Sequence, residues 1–137
     1  MLAKRQIGKE NWIVEETQHF GKTNDAHRSI SIMVDGNGYL HMSWDHHGNA
    51  LNYCKTLSPE SLKLGDKISM TGKNESKVTY PEFHKLPNGD LIFFYRDGSS
   101  GNGNLVLNRY HLKTKKWNKY AVTELQGGKN SVLRNPG

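Results

Sequence analysis

Cysteine is nearly absent from this chain: Cys54 is the single one among 137 residues, and there are only four prolines. One thiol excludes an internal disulfide and a thiolate metal cluster, and leaves a small buried hydrophobe on a strand as the plain reading of Cys54. No stretch approaches the ~20 consecutive apolar residues that cross a bilayer as a helix, so no membrane partner is expected. The start, MLAKRQIGKENW, lacks the apolar run of a secretory signal, and the compartment is not legible from it. Hydrophobic residues make up only 34% of the chain, which limits the core and predicts much polar loop. Helical periodicity is missing too: no window carries an apolar stripe at 3.6-residue spacing.

What the chain does have is strand pattern punctuated by glycine, 14 residues in all. Apolar residues alternate at Ile30, Ile32 and Val34 and at Leu40, Met42 and Trp44, LIFFY is a continuous apolar run, and β-branched and aromatic residues recur in WIVEET and WNKYAVT. Strands are expected near 11–17, 28–34, 39–46, 50–56, 67–71, 79–86, 90–97, 104–112 and 116–123. The fold class is all-β.

Nineteen Lys and Arg against thirteen Asp and Glu give a net charge of +6, which favours an anionic partner. The lysines are scattered through turns and no base-reading motif is present, so nucleic acid is not the expected partner. An acidic polysaccharide fits the charge; solvated loop charge is the plain alternative.

Two hairpin signals stand 51 residues apart, from Gly38 to Gly89. The offset extends beyond the turns, since Leu40, Met42 and Trp44 match Leu91, Phe93 and Tyr95. After Arg96 the second unit carries DGSSGNGN where the first has DHHGNA, a longer loop between strands that keep their pattern. A period near 50 with about four strands is that of a propeller blade. Blade-like repeats are therefore expected at about 27–71 and 78–123, with 124–137 a truncated or divergent tail. The whole chain, 1–137, reads as a partial β-propeller of two to three blades whose remaining blades belong to a larger chain; a self-contained β-sandwich is the alternative.

Antiparallel pairing brings residues equidistant from a turn face to face. His27 and His47 lie ten residues either side of Asn37, and Tyr80 and Arg96 lie eight either side of Asn88. At adjacent blade mouths these four would share one cleft. A guanidinium holds a carboxylate with two parallel hydrogen bonds, and a carboxylate so neutralised stabilises the enolate formed when the adjacent carbon loses a proton. Tyr80 and the two imidazoles can carry protons in such a step. His46 competes with His47, since moving the turn centre by half a residue pairs it with His27. His46 and Arg109 are candidate substrate contacts. Zinc at His46 and His47 with His27 or His41 fits poorly because alternate strand residues face opposite ways, so neither metal nor other cofactor is expected. Each of these residues also has a plain structural reading: surface histidine, packed tyrosine, loop salt bridge.

The segments AHRSISIMVDGNGYLHMSWDHHGNALNYC and VTYPEFHKLPNGDLIFFYRDGSSGNGNLVLNRY resemble the BNR repeat-containing propeller family that includes ulvan lyases. The resemblance covers about residues 10–120 and implies a seven-bladed propeller. It also implies a funnel in which His27 and His47 act with Tyr80 and Arg96, Tyr and His handling protons and Arg neutralising a uronate. The implied reaction is β-elimination on a sulfated, uronate-containing algal polysaccharide, and the implied location is secreted or periplasmic. A non-catalytic carbohydrate-binding or structural propeller is the alternative. A sialidase-like hydrolase fits less well, since only Arg96 and Tyr80 match the arginine cluster and Tyr/Glu pair it needs. After Trp117 the likeness ends, so the isolated chain is expected to be inactive.

Overall fold

A computed structural model describes residues 1–126, 133 and 134. All regular elements within them are antiparallel strands. β1 (Leu2–Arg5) and β2 (Trp12–Glu15) form a separate hairpin; β3 (Ile30–Val34), β4 (Leu40–Trp44) and β6 (Tyr53–Lys55) form a three-stranded sheet. The second sheet runs in the order β11 (Leu133–Arg134), β10 (Lys116–Gln126), β9 (Asn102–His111), β8 (Leu91–Ser99), β7 (Val78–Lys85), β5 (His47–Asn49). β5 thus leaves the first repeat and joins the edge of the second.

The two hairpins lie side by side with their turns together. Gly36 N–H donates to Gly89 O at 2.9 Å, and Phe83 N–H on β7 donates to Ser31 Oγ on β3 at 3.1 Å. The turns can approach so closely only as glycines: a Cβ on Gly36 would lie 2.9 Å from Gly89 Cα, and one on Gly89, at φ +88°, would lie 2.7 Å from Gly36 Cα. With the turns joined at one end, the open mouths of both hairpins share the other.

The residues matched at the 51-residue offset are all buried: Leu40, Met42 and Trp44 on β4, and Leu91, Phe93 and Tyr95 on β8. One core contains Leu51, Tyr53, Val78, Phe83, Phe93, Tyr95, Tyr110 and Trp117; a smaller one contains Met42, Trp44, Cys54 and Leu64. Burial pushes the Cys54 thiol up to about 12, which keeps it protonated and inert. A buried polar chain ties the two repeats together. The Tyr53 hydroxyl lies 2.8 Å from His41 Nδ1 and accepts from Trp117 Nε1 at 2.9 Å, while His41 Nε2 lies 3.1 Å from Asp35 Oδ2. Trp44 and Trp117 are buried, whereas Trp12 is exposed under the Arg5 guanidinium.

Two expectations are corrected. No strand forms at 67–71. The Glu75 carboxylate gathers the N–H groups of Met70, Thr71 and Gly72 into a turn, and Ile68 N–H donates to Tyr53 O of β6 without a ladder forming. The DGSSGNGN segment, expected as a loop, instead continues the β8–β9 ladder through Gly98↔Gly103 and Ser99↔Asn102. Glycines facing each other allow that pairing without apolar alternation to signal it. Much of the expected tail at 124–137 falls outside the described residues, though β10 runs to Gln126 and β11 pairs with it.

Candidate functional site

The β3–β4 ladder keeps the register centred on Asn37, from Val34↔Leu40 to Ile30↔Trp44. It stops there, because Asp45 adopts left-handed backbone at φ 61° and turns the chain toward the second sheet. Arg28 braces this corner, donating to Asp45 Oδ1 at 2.9 Å. His47 then pairs with Thr79 of β7 rather than with His27. The two imidazoles nevertheless stack, with ring centroids 4.4 Å apart and planes 20° from parallel.

Asp25 holds the stack together. His27 Nδ1 lies 2.7 Å from Asp25 Oδ1, and His47 Nδ1 lies 2.5 Å from Asp25 Oδ2, one oxygen for each ring. The His27 backbone N–H also donates to Oδ1, closing a local turn. That backbone bond, then the two imidazole bonds, holds the Asp25 carboxyl well below the usual carboxylate range. Asp25 was not among the residues singled out from the sequence. Its signal was available in the Asp-x-His spacing, where an aspartate two residues ahead can accept from backbone and ring together.

Tyr80 and Arg96 meet by a different route from simple pairing. The β7–β8 register is centred on Asn88 from Lys85↔Leu91 to Glu82↔Phe94, and then slips, so that Arg96 faces Thr79. Tyr80 lies in the bulge, at φ 54°, with 48% of its surface exposed. The Arg96 guanidinium lies over its ring, 5.2 Å from the centroid. The Tyr80 ring is in turn 5.9 Å from that of His27. His47, His27, Tyr80 and Arg96 therefore form one unbroken row at the shared mouth of the two hairpins.

Arg96 is chemically unspent. Among the described residues it has no ion pair, and its buried Nε has no hydrogen-bond partner. Gly103 makes room for its stem, since a Cβ there would lie 3.0 Å from Arg96 Cγ.

The two other candidates stand apart. His46 is wholly buried, with Nε2 accepting from Asn52 N–H at 2.8 Å, and burial pushes its imidazole down to about 4. It is a neutral interior group with no surface to offer a sugar. Arg109 pairs with Ile92 in the ladder and donates to Asp90 Oδ2 at 2.8 Å. That places it at the turn end of the hairpin, four residues or about 13 Å along the strand from Arg96.

The family model described as "BNR repeat-containing family member" matches residues 1–136. The chain belongs to that family. It is 37% identical over 123 residues to the long-isoform ulvan lyase of Glaciecola sp. (strain KUL10), covering 85% of this chain and 12% of that protein. With the ulvan lyase of Nonlabens ulvanivorans it shares 31% identity over 90 residues, 57% of this chain and 19% of that one. Among solved structures, a PL25 ulvan lyase bound to -[GlcA(1-4)Rha3S]- superposes with a TM-score of 0.60 at 17% identity, over 78% of this chain and 30% of that one. Polysaccharide lyase Uly1 gives 0.57 at 21% identity, over 72% and 29%. The all-β fold is thus that of the ulvan lyase propellers, and this chain spans about an eighth of the Glaciecola relative and under a third of the solved lyases.

Proposed function

We propose that this chain supplies the uronate-handling part of a polysaccharide lyase acting by β-elimination on sulfated, ulvan-like polysaccharide. The observation that carries the proposal is the row His47–His27–Tyr80–Arg96, ending in a guanidinium that lacks an anionic partner among the described residues. A uronate carboxylate fits that fork with two parallel hydrogen bonds. Its charge neutralised, the carbon next to it gives up a proton more readily, because the electron pair spreads into the carboxylate as an enolate. The pair then forms the carbon–carbon double bond as the glycosidic C–O bond breaks, and the leaving oxygen takes a proton. Tyr80, between Arg96 and His27, exchanges these protons in this reading. Asp25 is a positioning residue: one carboxylate oxygen lies within hydrogen-bond distance of Nδ1 of each ring, which fixes both imidazoles in the stack.

A second reading is carbohydrate binding without turnover, which the Arg96 guanidinium, lacking an anionic partner among the described residues, and the net charge of +6 suit equally. Incubation of a lyase-length protein carrying this segment with ulvan, followed at the ultraviolet band of the unsaturated uronate, separates the two. Rising absorbance supports the lyase. Retardation in an ulvan-containing gel without absorbance supports binding alone, and neither signal refutes both.

A further inference from the structure

Asp25, His27 and His47 have a property that the elimination chemistry does not use. Each offers one metal-ligating atom, and those atoms lie within 4.8 Å of one another on the open face of the site. Two imidazole nitrogens and a carboxylate oxygen form the donor set of many open zinc centres, which leave a fourth position for water or an anion. A zinc ion with Zn–N near 2.0 Å needs its ligand atoms about 3.3 Å apart, and the Nδ1–Oδ distances here are already shorter, 2.7 and 2.5 Å. Both rings are partly exposed, which leaves room for the small outward rotation that would open the cluster around an ion.

We propose that Asp25, His27 and His47 form a binding site for a divalent transition-metal ion of the zinc class. The Nδ1 atoms of both rings face the Asp25 carboxylate, one to each oxygen. With the ring proton on Nε2, each Nδ1 lone pair points at the carboxylate, and a metal ion between them takes the place of the hydrogen bonds. The opposing charges are few. Arg28 Nε is 3.6 Å from Asp25 Oδ2, but Arg28 is itself held by Asp45 at 2.9 Å; Arg96 lies beyond the Tyr80 ring. An ion here would hold both imidazoles fast and block their part in proton transfer. That consequence rests on the lyase reading, whereas the site itself rests only on the geometry.

The test is calorimetric titration of the chain with zinc chloride, without polysaccharide, so that it stands or falls apart from the lyase reading. One equivalent is expected to bind. Cobalt(II) bound at the same place should give the visible bands of a low-symmetry four-coordinate ion. Asp25→Asn and His27→Gln should each weaken zinc binding at least tenfold, with the circular dichroism spectrum unchanged. Absence of binding, affinity unaltered in both variants, or binding that is lost instead with His84→Gln or His111→Gln would overturn the assignment.

Discussion

Tyr80 combines a bulky side chain with left-handed backbone, a pairing that costs on the order of 1–2 kcal/mol and is retained where surrounding structure enforces it. Here the bulge imposes it, and the return is a phenol lifted from the sheet to lie between Arg96 and His27. Tyr80→Gly should therefore raise the unfolding free energy by about 1 kcal/mol in urea titration, while Tyr80→Phe should leave it unchanged. In a lyase-active protein carrying this segment, Tyr80→Phe should abolish the unsaturated product yet leave polysaccharide binding nearly intact. His46 sets a second residue-scale expectation. Its imidazole is pushed down to about 4 in the fold and returns to about 6.5 when the chain unfolds, so between those values the unfolded chain binds the extra proton. Stability from this group is complete above about pH 6.5 and declines as pH falls toward 4, by on the order of a few kcal/mol. His46→Gln should flatten that part of the stability curve measured by denaturant titration.

At the scale of elements, the sequence disclosed the contacts better than the means of making them. Equal distance from Asn37 selected His27 and His47, and their rings do stack, yet the ladder ends at Trp44 and His47 arrives on β5 from the edge of the other sheet. Equal distance from Asn88 selected Tyr80 and Arg96, and they do touch, though across a slipped register. Period-two apolar pattern reveals paired strands but carries no mark of a bulge or of a strand of three polar residues such as HGN. The same pattern missed Asp25, which acts through local backbone geometry, and assigned a strand to 67–71, where Glu75 makes a turn. The joint between hairpins was equally silent. Its cost can be measured: Gly89→Ala adds a left-handed penalty of about 1 kcal/mol to a collision with backbone, and should lower stability by roughly 2–4 kcal/mol in thermal or urea unfolding.

For the whole molecule, the excess of lysine and arginine has a measurable meaning only through its partner. Binding to a sulfated polyanion should weaken steeply between about 50 and 200 mM salt, and an uncharged polysaccharide of similar length should show no such slope. Gel retardation across a salt series checks both. The apolar row Ile30, Ile32 and Val34 is exposed on β3, as expected of a sheet face that a propeller covers with its neighbour. β5 gives the assembly a further mechanical character. Because β5 follows the first hairpin yet pairs with β7 of the second sheet, the two hairpins cannot swing apart at their open ends without breaking that pairing. Any ligand reaching this rim therefore meets two hairpins fastened to each other at both ends.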